Sequence, residues 1–219
     1  MARLARLVVP GYPHHVTQRG NRRQKTFFSA NDYRQYIAYM AAAKADAGID
    51  IWAWCLMPNH VHLIVVPERR DSLATLFGEA HRKYTRFINF REGWSGHLWQ
   101  GRFHSCVMDE QHLLTAVRYV ELNPVTAGLC QQPQDWPWSS SRAHLAARDD
   151  ALVSVMPMLG RTADWQSYLR AANSEPMLES LCKYSRTGRP LGNDRFMEQL
   201  EQLTKSDLKR GKPGPKINK

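Results

Sequence analysis

Two apolar runs in the middle of the chain, IDIWAWCLM and HVHLIVVP, are separated only by Pro58 and Asn59. Short runs rich in aromatic and β-branched residues read as strands, and Pro-Asn between them reads as a turn. So short a connection favours an antiparallel pair.

The flanking segments fix what that hairpin joins. HHVTQR is a strand closed by Gly20 and Asn21. Ser29 can cap a helix, with Asp32 three residues on, Tyr33, Ile37, Met40 and Ala41 at helical spacing, and Gly48 to end it. A second helix is predicted over residues 73–89, carrying His81, Arg82, Lys83 and Arg86 on a basic side, and FHSCVMD is a fourth strand. Asp109 caps a third helix, which Pro124 should stop near Asn123. The order strand, helix, two strands, helix, strand, helix predicts an α+β fold with a split βαβ antiparallel sheet and packed helices.

With 219 residues, the chain can bury one real core and carry an appendage. We divide it into residues 1–145, a linking segment over 146–182 expected to be helical, and a basic extension over 183–219 expected to end flexibly. In the extension, Phe196, Leu200 and Leu203 should face the body from a helix over 194–203, and SRTGRPLG reads as a loop. The formal charge is +10, which makes a polyanion the leading partner, although a membrane surface attracts the same excess. Cys55, Cys106, Cys130 and Cys182 form no close pair, which argues against a zinc knuckle or a disulfide framework and favours a cytoplasmic setting. No signal peptide and no membrane-spanning stretch is expected.

The strand period orients the histidines. In HVHLIV, His60, His62 and Ile64 share one face, while Val61, Leu63 and Val65 share the other. The imidazoles then lie about 6 to 7 Å apart at Cα and can converge on one cation with positions left open, as Lewis-acid work on phosphate requires. The bland alternative is one histidine satisfied in the core and one in water. Tyr119 and Asn123, four apart, share a helical face. A phenol can attack phosphorus, and an amide oxygen suits Mg2+ or Mn2+. Equally, Tyr119 can be a rim residue and Asn123 a helix cap.

MPNHVHLIV and RYVELNPVTAGL resemble the signatures of the REP-associated tyrosine transposases (REP, repetitive extragenic palindrome). That family is related to the single-strand insertion-sequence transposases of the histidine-hydrophobic-histidine (HUH) endonuclease group. VVPGYPHHVTQRGNRRQKTFF, LWQGRFHS and TGRPLGNDRFMEQLE are similar to further blocks of the family, in the same order. The resemblance implies a ferredoxin-like sheet, Tyr119 as nucleophile, and His60, His62 and Asn123 as ligands of Mg2+ or Mn2+. It also implies metal-dependent cleavage and transfer of single-stranded DNA through a 5′-phosphotyrosine, at a hairpin with a short adjacent guide sequence. A monomer in the bacterial cytoplasm, nucleoid-associated when DNA-bound, is the expected form, and a dimer that exchanges the tyrosine helix is left open.

DNA binding needs a further set of residues. Arg3, Arg6, Arg19, Arg22, Arg23 and Lys25 crowd the first 25 positions without an acid, and Arg82, Lys83, Arg86, Arg102, Arg186 and Arg189 extend the basic surface. Trp94, Trp99 and Phe103 are candidates for stacking unpaired bases. Two rivals stand beside this reading. A non-catalytic DNA-binding regulator needs the charge but no convergent site, and a water-using metal hydrolase needs the ligands but leaves no covalent adduct.

Overall fold

A computed structural model of the chain describes residues 6–208. Its core is a four-stranded antiparallel sheet in the order β2-β3-β1-β4, made of β1 (His14–Arg19), β2 (Ile49–Met57), β3 (His60–Pro67) and β4 (His104–Val107). Helices α1 (Ala30–Ala47) and α2 (Ser72–Glu92) connect β1 to β2 and β3 to β4, and each connection skips the strand lying between its ends. This is the split βαβ arrangement that the element order predicts.

Alternation assigns the two faces. Val61, Leu63 and Val65 of β3, with Val16 of β1 and Leu56 of β2, pack under α1 and α2. Ile64 of β3, with Cys55 and Met57 of β2, packs under α3 (Glu110–Thr126), so His62 and His60 project from the α3 side. A register shift between Ile51 and Ala53 moves β2 from one alternation to the other. That shift lets Ile51 serve the first core and Ala53 the second.

Local signals start and stop the helices. Ser29 and Asp32 form a capping box for α1, and Gly48 closes it in the left-handed conformation at φ 59°. Asp109 caps α3 by accepting from the His112 N–H at 3.0 Å. The predicted stop at Asn123 is wrong: α3 runs through Pro124 to Thr126. Proline falls in the last turn, where only one carbonyl a turn upstream loses its usual donor. The carbonyls of Asn123, Pro124 and Val125 are satisfied from downstream by the N–H groups of Ala127, Leu129 and Gly128.

Beyond α3 the chain covers the same face with α4 (Ser141–Leu145), α5 (Met156–Leu159), α6 (Trp165–Arg170) and α7 (Glu175–Thr187). Helix α7 passes continuously over residues 182 and 183 and includes Ser185, so the loop expected at SRTGRPLG begins only at Gly188. Leu191 then pairs with Val107 and Met108 at the edge of β4. Helix α8 (Asp194–Thr204) buries Phe196 and Leu200 against Val9 and Val107. Leu203 does not face the body as expected: it lies in the last turn of α8, outside the cluster that buries Phe196 and Leu200, and is 53% exposed. Among the described residues no helix is long and apolar enough to cross a membrane.

Candidate active site

The strand register decides which groups meet. Pairing of β1 with β3 sets Thr17 opposite His62 and Arg19 opposite His60, so His15, Thr17 and Arg19 share the histidine face. Helix α3 crosses that face and brings Tyr119 over it. The ring centroids of His60 and His62 are 4.8 Å apart, and that of Tyr119 is 5.5 Å from His62 and 6.2 Å from His15. These groups, with Arg19, Gln100, His104, Cys182 and Ser185 among others, line one cavity of about 260 Å³. All come from one chain.

The hydrogen bonds at the rear of each imidazole fix what the cavity receives. Asn59 donates through Nδ2 to the Arg23 carbonyl at 3.0 Å, so its Oδ1 faces His60 Nδ1 at 2.6 Å. An amide oxygen only accepts; Nδ1 of His60 therefore carries the proton and Nε2 the lone pair. His62 Nδ1 lies 3.0 Å from His15 Nε2, and its other nitrogen, Nε2, is buried with no hydrogen-bond partner. Burial, then the charge of Arg19, lowers the His60 pKa to about 4. Burial, with His15, His60 and Arg19 adding to it, holds His62 well below the ordinary histidine value. Both rings are neutral near pH 7, the form that binds a cation.

An orphaned buried nitrogen beside a second outward lone pair is the donor set that a divalent metal satisfies. Among the described residues no three His, Cys, Asp or Glu side chains converge as a metal group, and a cation held by His60 and His62 would need an amide or solvent to complete its ligands. Asn123 is one turn from Tyr119 on α3, on the side that favours an ionised phenol, but it is not among the residues that line the cavity. Burial raises the Tyr119 pKa, and Cys182 raises it further, against the opposing effects of Asn123 and Arg19.

The remaining sequence candidates divide by place. Arg6, Arg82, Arg86 and Arg102 line a second, open cleft of about 840 Å³. Within it Arg6 sits 3.9 Å over the Phe103 ring, while Arg82 and Lys83 are both paired with Glu79. Arg22, Arg23 and Lys25 are exposed on the connection after β1, and Arg189 lines a separate hollow near α8. Arg3 and the Arg186 side chain lie outside the described residues. Trp99 and Phe103 are not free stacking platforms: Trp99 is buried against His81 at 4.6 Å, and Phe103 against Phe77 at 4.9 Å. Trp94 is 49% exposed and meets Phe28 edge-on.

Sequence reasoning missed His15, Asn59, Cys182 and Ser185. The period of two in HHVTQR already put His15 on the face of Arg19, but its pairing with β3 was needed to join it to His62. Cys182 and Ser185, three apart on α7, carried no local signal.

Comparison with known proteins covers the same part of the chain. The family model described as "Transposase IS200 like" matches residues 9–123, a span that holds His60, His62, Tyr119 and Asn123. The chain is 25% identical over 126 residues to the REP-associated tyrosine transposase of Escherichia coli (strain K12), covering 57% of this chain and 74% of that one. It is 31% identical over 102 residues to a Haemophilus influenzae protein named for the same activity, covering 40% and 56%. A solved REP-associated tyrosine transposase bound to a REP hairpin shares the fold, with a TM-score of 0.58 and 24% identity over 70% of this chain and 92% of that one.

Proposed function

This chain belongs to the IS200-like transposase family, and we propose that it cuts and rejoins single-stranded DNA at REP-type hairpins through a 5′-phosphotyrosine on Tyr119. The observation that carries the proposal is the meeting of Tyr119, His60 and His62 around one cavity within a single chain. A DNA-binding regulator has no use for a phenol beside two neutral imidazoles.

His60 and His62 would hold the cation through their Nε2 atoms, with Asn123 supplying an amide oxygen. Bound there, Mg2+ or Mn2+ supplies Lewis-acid stabilisation of charge on the scissile phosphate. Arg19, at the cavity wall, adds a fixed positive charge for the same phosphate. Tyr119 Oη attacks phosphorus as its proton leaves to solvent, and the amide of Asn123 favours the phenolate. The P–O3′ bond breaks, the 3′ oxygen takes up a proton, and the 5′-phosphate remains on Tyr119. Attack by the 3′-OH of another strand reverses these changes and frees the tyrosine, so strand transfer needs no ATP.

The hairpin and its adjacent guide sequence would be held by the basic surface that includes Arg86 and Arg102 of the open cleft and Arg22, Arg23 and Lys25 near the β2–β3 turn. Trp94 offers an exposed ring for an unpaired base. We place the activity in the bacterial cytoplasm and in a monomer, a reading supported by the reach of Tyr119 to His62 from its own chain.

The test is a hairpin oligonucleotide labelled at either end, incubated with Mn2+ or Mg2+ and resolved under denaturing conditions. The expected product is a covalent adduct on the fragment downstream of the cut, absent in Tyr119→Phe and sharply reduced in His60→Ala. Cleavage without an adduct would mean that water is the nucleophile. Tight binding with intact DNA would favour the regulator.

A further inference from the structure

We infer that His15 and Ser185 are positioning residues that set which nitrogen of His62 carries the proton, leaving Nε2 with a lone pair for the cation, an inference that rests on the metal-dependent reading above. His15 is a third histidine at the site, but both its nitrogens are spent. Its Nε2 meets His62 Nδ1 at 3.0 Å and its Nδ1 meets Ser185 Oγ at 2.8 Å. The two rings lie within 12° of parallel with centroids 5.2 Å apart, so neither ring can turn without losing the contact. His15 therefore stands behind His62 and does not share its cation.

The hydrogens in this row of three groups can run in only two directions. In one, Ser185 donates to His15, His15 donates to His62, and His62 Nε2 carries a proton into a buried position where it has no acceptor. In the other, His62 Nδ1–H donates to His15 Nε2, His15 Nδ1–H donates to Ser185 Oγ, and His62 Nε2 offers a lone pair to the cavity. Only the second binds a metal. It also matches His60, whose outward lone pair is fixed independently by the Asn59 oxygen. A hydroxyl is the right end for the row because it can accept from His15 and still turn its own hydrogen elsewhere.

The two positioning residues come from different parts of the chain. His15 lies on β1, diagonal to His62 across the β1–β3 pair, where Thr17 is the direct partner. Ser185 comes from α7, outside the segment that the family model matches. The later helices thus complete a site whose attacking and ligating residues all precede them. Partners of this kind typically change metal affinity by about 10- to 100-fold when removed.

The experiment combines two readouts on the full-length chain, Mn2+ binding by calorimetry and the His62 tautomer by 15N-histidine NMR with Mg2+. The expected results are a His62 proton on Nδ1 in the wild type and Mn2+ affinity about 10- to 100-fold weaker in His15→Ala. His15→Gln, whose side-chain oxygen can still accept from His62, should recover most of the affinity. Ser185→Ala should give a smaller loss. A His62 proton on Nε2 in the Mg2+-loaded wild type would overturn the inference without any substitution, as would wild-type affinity in a folded His15→Ala. His60→Ala separates the two levels. If it loses Mn2+ while His15→Ala does not, only the positioning role falls; if the wild type binds no Mn2+, the metal reading falls and takes this inference with it.

Discussion

His14 and His15 are neighbours in β1 with opposite fates. His14 projects from the opposite face to His15, where its Nδ1 donates to the Tyr12 carbonyl at 2.8 Å and its Nε2 accepts from the Val9 N–H at 3.2 Å. It is a histidine satisfied in the core. His15, one residue on, turns to the other face and reaches His62. Asn59 illustrates a second division of labour: it forms the turn between β2 and β3, and it also holds the His60 tautomer. Asn59→Ala removes the acceptor behind His60 and should weaken Mn2+ binding by about tenfold or more, measured by calorimetry. The melting temperature should change little, because Asn59 is only partly buried and Pro58 still shapes the turn. Unchanged Mn2+ affinity would show that His60 needs no fixed tautomer. The shared face of His60 and His62 was legible from the period of two, since a β-strand imposes it without reference to anything else. The role of Asn59 was not, because a turn residue and a tautomer clamp have the same local sequence.

Helix α3 presents Tyr119, and a buried carboxylate two residues further on locks it in place. Glu121 is fully buried and accepts from Ser140 Oγ at 2.5 Å, His144 Nδ1 at 2.6 Å and Trp165 Nε1 at 3.0 Å. These partners come from the start of α4, from α4 itself and from α6, so one side chain ties the helix that carries Tyr119 to the helices behind it. Glu121→Ala leaves the buried His144 and Trp165 donors without their acceptor, while Ser140 keeps the Trp54 carbonyl at 3.3 Å, and should cost about 3 to 5 kcal/mol in urea unfolding, the range for breaking a buried charged pair. Glu121→Gln retains the shape and one acceptor oxygen, and should cost about 1 to 3 kcal/mol. A loss under 1 kcal/mol for Glu121→Ala would mean that water replaces the carboxylate. The start of α3 was legible in Asp109, a cap whose action is local. Its end was misread because the rule against proline in helices weakens in a last turn held from downstream. The burial of Glu121 was invisible for another reason: all three donors lie at least 19 residues away in sequence.

At the scale of the whole molecule, one sheet separates two cores, and neutral histidines are buried on both sides of it. Burial brings His14 and His15 to about 4, and burial with Arg19 brings His60 to about 4. Burial holds His81 at about 3, and His62 is also strongly depressed. In the unfolded chain each takes up a proton near pH 6.5. Between about pH 6.5 and pH 4 the unfolded state therefore binds more protons than the folded one, and stability must rise with pH across that window. This contribution is fully present above about pH 6.5 and is lost as the pH falls toward 4, below which the folded protein begins to protonate as well. Asp32 acts in the same direction only at lower pH: its burial is outweighed by Arg91 and two backbone N–H groups, which hold its carboxyl below the ordinary value. Urea midpoints at pH 7.5, 6 and 5 should therefore fall in that order, with the steeper step between pH 6 and pH 5. Restoring the pH should restore the midpoint. Equal midpoints at pH 7.5 and pH 5 would require the buried imidazoles to be charged in the folded state. The same result would mean that His60 and His62 take up protons in the folded protein by pH 5 and lose their lone pairs there, so a stability measurement made without metal or DNA sets the lower pH limit of the chemistry proposed for them.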